Sequence, residues 1–266
     1  MRKSIPVPVD DIELFKARLA EAGRLYRHFV LLDSHRNPGL KSPWAHDRYH
    51  FLAGLGAVDH VRAGDREGFD RLEDFAAGRE DWLLGYFSYD LKNETEALTS
   101  NHPDHIGFPA LHFFQPLYVI VSTGRETWLE YMPEHSSLAG VRQLLETILN
   151  QDLPAASPQY IPPLKARFSR EHYLDTLSQI KHHIQRGDIY EMTFCQEYYS
   201  HSSLDPFFVF RQLGALSPAP FSCFLRLDNR YLVSSSPERF LAKAGDTVIS
   251  QPIKGTMRRG GSEQED

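Results

Sequence analysis

Apolar and polar positions recur along this chain with two periods, and each change of period predicts an element. Residues 10–22 carry Ile12, Phe15, Leu19 and Ala22 at helical spacing behind an aspartate cap. Residues 29–32 read as a buried strand, residues 33–39 as a polar turn-rich loop, and residues 48–57 as a second strand. An amphipathic helix follows over 65–77 through Phe69, Leu72 and Phe75. The strand over 82–89 contains Gly85, which admits a closely packed neighbour, and its Tyr86, Phe87 and Tyr89 read as core. Strands over 113–122 and 127–132 come next, with Gln115-Pro116 marking a bulge or an edge. Residues 137–150 then place Leu138, Val141, Leu144, Leu145 and Ile148 on one helical face.

Pro154, Pro158, Pro162 and Pro163 disallow a helix over 151–163 and predict an extended linker. The expected division is therefore an N-terminal region (1–150), this linker (151–163) and a second region (164–266). The second region opens with Ser169 as cap of a helix through Tyr173, Leu177, Ile180 and Ile184, stopped by Gly187. A strand is predicted over 189–199, and a helix begins at Asp205-Pro206, aspartate as cap and proline in the first turn. Two hairpins close the chain. The first joins 220–227 to 230–235 through Asp228-Asn229, and the second joins 239–244 to 247–251 through Gly245-Asp246.

Composition changes this picture mainly by exclusion. With 266 residues there is material for one large or two small domains. The balance of 29 basic against 35 acidic residues, a formal charge of −6, leaves no electrostatic footprint for nucleic acid or an anionic membrane. No run of roughly 20 apolar residues is present and no apolar segment follows the first charged residues, so a cytoplasmic protein is expected. That context discounts the glycosylation sequon Asn93-Glu94-Thr95. The two cysteines, Cys195 and Cys223, sit in strand-like apolar runs and are expected to be buried, inert thiols. The thirteen histidines are scattered without ligand spacing, and no histidine metal site is expected from them.

The candidate chemistry lies in Gln-Pro-Ile-Lys-Gly-Thr-Met-Arg-Arg-Gly, residues 251–260. Lys254 emerges from apolar sequence, and partial burial of its stem would favour the neutral, nucleophilic amine. Gly255 allows close approach to a ligand, Thr256 adds a hydroxyl and an N–H, and Arg258 and Arg259 suit a carboxylate-bearing substrate. A surface lysine beside a solvated basic turn is the plainer reading of this stretch by itself.

Three further stretches change the weighing: Ser234-Ser235-Ser236-Pro237-Glu238-Arg239-Phe240, Gly187-Asp188-Ile189-Tyr190-Glu191-Met192, and Trp82 through Leu91. Together with Pro252-Ile253-Lys254-Gly255-Thr256 they resemble the chorismate-utilising enzymes, the family of anthranilate synthase component I and aminodeoxychorismate synthase component I. The resemblance implies an α+β fold of the anthranilate synthase component I type: two packed, mainly antiparallel β-sheets with helices outside. Lysine at position 254 resembles the aminodeoxychorismate synthase branch, whereas the anthranilate, isochorismate and salicylate synthases usually carry alanine there. That branch makes 4-amino-4-deoxychorismate for folate biosynthesis by an amino transfer to chorismate. The resemblance implies Lys254 as nucleophile, Glu238 as general acid, and Gly255 and Thr256 as binders of a substrate carboxylate. It further implies Mg²⁺ as cofactor, ammonia as co-substrate, and a glutamine amidotransferase subunit as partner. A tryptophan pocket is implied as well, matched here by Ser34, the run His46, Asp47, Arg48 and Tyr49, and Pro220, Phe221 and Ser222. An ordinary strand-turn-strand accounts for the first group equally well. Other chorismate-utilising synthases, and a catalytically incomplete binding or regulatory fragment, are the alternative readings.

Two expectations concern geometry. A regular hairpin with Gly245-Asp246 as a two-residue turn would place Glu238 opposite Ile253 and Lys254 opposite Pro237, with the two side chains on opposite faces. A three-residue loop, or a bulge near Pro237 or Pro252, would bring them to one face, and joint catalysis requires one such irregularity. Second, Ser262 and Glu265 have the spacing of a capping box at the start of a helix. The chain is therefore expected to be a truncated piece, without the family's Mg²⁺ ligands, inactive as a synthase by itself and with apolar surface exposed.

Overall fold

The computed structural model describes residues 1–35, 49–64, 66–100, 102–154, 160, 162–253, 258 and 260–262. In chain order the elements are β1 (Lys3–Pro6), α1 (Ile12–Gly23), β2 (His28–Asp33), β3 (Phe51–Ala63), α2 (Gly68–Ala76), β4 (Leu84–Phe87) and α3 (Lys92–Thr95). Then follow β5 (Leu111–Ser122), β6 (Thr127–Tyr131), α4 (Leu138–Asn150), β7 (Lys165–Ala166), α5 (Arg170–Arg186), β8 (Tyr198–Tyr199) and α6 (Pro206–Leu216). The chain closes with β9 (Phe221–Leu227), β10 (Arg230–Ser236), β11 (Arg239–Ala244) and β12 (Thr247–Gln251). The chain divides into two compact units, Met1–Pro154 with Pro206–Asp266, and Ala155–Asp205. The second begins inside the proline-rich stretch, and the chain returns to the first at Pro206.

The first unit is built on an antiparallel eight-stranded sheet, ordered β1-β6-β5-β3-β2-β9-β10, with β4 beside the first half of β5. Strand alternation sorts its side chains into two cores. Phe29, Leu31, Phe51, Ala53, Leu55, Ile120 and Phe224 meet Phe15 and Leu19 of α1, Val141, Leu145 and Ile148 of α4, and Phe207 and Phe210 of α6. The intervening Val30, Leu52, Val119, Val121 and Leu225 pack with Leu84, Trp82, Tyr86 and Trp128. Both indoles are satisfied by one carboxylate, Trp82 Nε1 donating to Glu130 Oε2 at 2.7 Å and Trp128 Nε1 to Oε1 at 2.9 Å. A third cluster joins Val61 and Ala63 of β3 to Phe75 of α2.

Helix starts follow side-chain chemistry. Asp11, Ser137 and Ser169 accept from the backbone N–H of Leu14, Gly140 and His172, and Gly187 ends α5 with φ +81°. The start of α2 lacks such a cap; Glu94 supplies it from α3, accepting from Gly68 N–H at 2.6 Å and Phe69 N–H at 3.2 Å. Gly85 is required where it stands, because a Cβ there would lie 2.1 Å from the His112 carbonyl oxygen and 2.6 Å from Phe113 Cα.

The expected antiparallel α+β architecture is present, with differences in detail. Only Tyr198–Tyr199 of the strand expected over 189–199 is a strand, paired with Lys165–Ala166. Its β-favouring residues find no longer ladder partner among the described residues, and propensity alone does not hold an isolated strand. Within that second unit Phe168 and Tyr173 stack on Phe194, and Arg167 forks onto Glu197 at 2.7 and 2.9 Å. Cys195 is exposed, against the expectation of a buried thiol, whereas desolvation pushes the Cys223 thiol up to about 12. Phe87 and Tyr89 are exposed and not core, since β4 lies off the main strand path and pairs with β5 alone. Among the described residues no helix is long and apolar enough to cross a membrane.

One ion pair anchors the chain's beginning to the sheet. Arg2 forks onto Asp81 at 2.6 and 3.0 Å, and Gln115 Nε2 donates to the same carboxylate at 2.6 Å. Desolvation pushes the Asp81 carboxyl up, but these hydrogen bonds and the Arg2 charge outweigh it and hold the group below its ordinary value. A depressed folded value stabilises the protein above the unfolded value, about pH 4, and that contribution is lost as pH falls through the folded one. Asp81→Asn is expected to lower stability at pH 7 and to flatten the loss between about pH 5 and pH 2. Urea unfolding of both proteins across that range measures it, and parallel pH curves would contradict it.

Candidate active site

Glu238 stands between β10 and β11, in the turn that links the large sheet to the terminal hairpin. The preceding Ser236 shapes that turn: its Oγ accepts the Glu238 N–H at 3.2 Å and donates to the Glu238 carbonyl at 3.3 Å. Arg239 lies over the Phe221 ring at 4.9 Å, so the segment packs against the first residue of β9. Glu238 is exposed, and Ile253 N–H donates to its Oε1 at 3.3 Å.

The hairpin that follows is itself irregular. Ala244 faces Thr247 across the two-residue turn, with Gly245 at φ +57°, and Ala242 faces Ile249. Arg239, however, faces Gln251, where regular pairing would give Pro252, so β11 carries one extra residue between Arg239 and Ala242. The expected irregularity is therefore present, at Phe240-Leu241 instead of at Pro237 or Pro252. It exchanges the face that Glu238 shares with β12, from odd-numbered to even-numbered partners. Lys254, Gly255 and Thr256 lie outside the described residues.

The described residues matched to an amino-acid pocket, Ser34, Tyr49, Pro220, Phe221 and Ser222, lie at one end of the large sheet. Asp33, the last residue of β2, faces Phe51 at the start of β3 and Ser222 near the start of β9. Ser34 follows, its N–H and Oγ both donating to the His50 carbonyl at 3.0 and 2.8 Å. Ser222 is buried; its Oγ donates to the Ala219 carbonyl at 2.9 Å and lies 3.2 Å from Ser235 Oγ. Tyr49 meets Trp82 edge-on and packs with the second core, while Pro220 and Phe221 lead into β9. His46, Asp47 and Arg48 lie outside the described residues.

Sequence reasoning missed what lies between these positions. Lys16 of α1 and Asp33, 4% and 3% exposed, form a buried ion pair, and Lys16 Nζ also reaches Glu13 at 2.6 Å. The other oxygen of Asp33 accepts the His35 N–H at 3.0 Å, with His35 at φ +42°. A lone lysine on the apolar face of an otherwise regular helix was the available signal.

For Mg²⁺ the described residues offer no fit. Magnesium wants oxygen ligands, and the one gathering of three ligand-type side chains among the described residues is His28, His60 and His112.

Among solved structures the fold matches anthranilate synthase component I from Streptococcus pneumoniae, with TM-score 0.64, 18% identity, and 81% of this chain and 55% of that one covered. It also matches MenF, the menaquinone-specific isochorismate synthase from Escherichia coli, with TM-score 0.52, 12% identity, and coverage of 91% and 51%. The fold is thus of the anthranilate synthase component I type. The profile of the chorismate binding enzymes matches residues 32–266, and the chain belongs to that family. Its relatives include anthranilate synthase component 1 of Thermus thermophilus, 33% identical over 190 residues, and aminodeoxychorismate synthase component 1 of Escherichia coli, 30% identical over 184. Each alignment covers 69% of this chain, and the chain spans 41% and 40% of those relatives. These similarities do not distinguish the two products.

Proposed function

We propose that this chain is part of an aminodeoxychorismate synthase large component. Lys254, as neutral amine, attacks C2 of the chorismate ring; the C2–N bond forms, both ring double bonds shift (C1=C2 to C1=C6 and C5=C6 to C4=C5) and the C4–O bond breaks. Glu238 delivers the proton that lets the C4 hydroxyl leave as water. Ammonia then adds at C4, both double bonds shift back to C1=C2 and C5=C6, and Lys254 departs from C2 with the C2–N electron pair, leaving 4-amino-4-deoxychorismate. The observation that carries this reading is the contact of Glu238 Oε1 with the Ile253 N–H. It turns the proposed acid toward the end of the strand from which Lys254 follows. Position 254 itself supports the amino product over anthranilate, since lysine supplies the nucleophile that alanine cannot.

Because the chain spans about two-fifths of its relatives, the reaction is proposed for the complete gene product, and the 266-residue chain is expected to be inactive alone. Relatives named as component 1 support a glutamine amidotransferase subunit as ammonia source. Tryptophan is the proposed occupant of the sheet end around Ser34, Tyr49 and Ser222, with the hydroxyl lone pairs as acceptors. The test is an assay of the complete gene product with chorismate, ammonium and Mg²⁺, identifying the product by mass and chromatography. The amino product is expected, and anthranilate or no turnover would overturn the reading.

A further inference from the structure

The three histidines set aside above meet at the bend of β3. His28 opens β2, His60 lies in the outer half of β3, and His112 is the second residue of β5, so they belong to three adjacent strands. Their coordinating nitrogens all lie within 4.8 Å of one another, and His28 Nε2 is 3.2 Å from His112 Nε2. Ring centroids are 5.1, 5.1 and 5.5 Å apart, and the His28 ring also rests on Phe114 at 5.1 Å.

A register shift makes this cluster. Ala57 faces Pro116, but Asp59 faces Gln115, so β3 carries one extra residue opposite the Gln115-Pro116 step. Beyond it His60 faces Phe114, two positions from His112, which faces Arg62. Without the shift His60 would face Phe113 and point to the other side of the sheet.

We propose that His28, His60 and His112 bind one divalent cation of the zinc class, with three imidazole nitrogens and a fourth position open to solvent beside the exposed His60. In a tetrahedral site with Zn–N bonds of about 2.0–2.1 Å, neighbouring nitrogens stand about 3.3 Å apart. The His28–His112 pair already has that spacing, and His60 reaches it by a side-chain adjustment of about 1.5 Å at most. His28 and His112 are buried, 9% and 3% exposed, so their rings are held in place by the surrounding core. Of the neighbouring cations, Arg27 is paired with Asp228 at 3.3 Å and Arg62 is exposed. Imidazole donors suit zinc or cobalt and not magnesium. The bound ion would clamp β5, β3 and β2 where β3 bends.

The experiment uses the untagged 266-residue chain, stripped of metal and titrated with Zn²⁺ and with Co²⁺. One equivalent is expected to bind, giving the intense visible absorption of tetrahedral cobalt, and zinc is expected to raise the melting temperature. His60→Ala, at an exposed position that spares the core, should weaken binding at least about tenfold and remove the zinc-dependent thermal shift. His102→Ala, at an exposed histidine elsewhere, should do neither. Absence of stoichiometric binding, an octahedral cobalt spectrum, or binding untouched by His60→Ala would each overturn the site.

Discussion

Lys254→Ala in the complete gene product is expected to abolish any covalent adduct with chorismate and to slow formation of the amino product by at least about 10³-fold. The proposed route divides one difficult displacement into two, each with the lysine nitrogen bonded to or leaving C2, and alanine closes both. Glu238→Gln removes the proton donor while keeping the side chain's shape, and a positioned general acid contributes roughly 10²–10⁴-fold. The amide oxygen of glutamine can still accept the Ile253 N–H, so the turn should persist and the loss should fall on kcat more than on KM. Intact mass spectrometry reads the adduct, and chromatography of ammonium-driven reactions reads the rate. Unchanged amino product in Lys254→Ala would discard the nucleophile, while an unchanged rate in Glu238→Gln would discard the acid.

Lys16→Met is expected to destabilise the protein by about 3–5 kcal/mol, because it leaves the Asp33 carboxylate buried without its cation. Both groups are almost fully enclosed, so solvent does not screen the loss as it would at the surface. For a unit of this size that corresponds to a fall in melting temperature on the order of 10 °C. The double variant Lys16→Met, Asp33→Leu should recover a good part of it, since replacing both partners of a buried pair with apolar side chains is often tolerated. Recovery should stay partial, because Asp33 also holds the His35 N–H. Chemical denaturation of the three proteins decides the matter: a loss below about 1 kcal/mol in the single variant would show a pair no stronger than a surface one.

Much of this architecture was legible in the chain. Aspartate and serine caps, Gly187 and the apolar stripes placed α1, α4 and α5, because local backbone chemistry decides those ends. Gly245-Asp246 and Asp228-Asn229 marked two tight turns, and the hairpin strands followed. Where a partner elsewhere made the element, the chain was silent or misleading. The cap of α2 comes from Glu94 in another helix, and residues 189–197 have strand composition without a strand beside them. The buried Lys16–Asp33 pair joins a helix to a strand end, and nothing but a lysine on an apolar helical face hints at it in the chain.

By itself the sequence determined the family, the antiparallel α+β fold, and the residue types on which the proposed chemistry depends. It carried even the hint of one irregularity, since Gln115-Pro116 sits opposite the extra residue of β3. Only the tertiary structure decided which side chains share a face. One added residue in β3 brings His60 to His112, and one in β11 pairs Arg239 with Gln251 instead of Pro252. Alternation along a strand is a local property with period two, but register is set by the partner strand. A single inserted residue therefore reassigns every side chain beyond it.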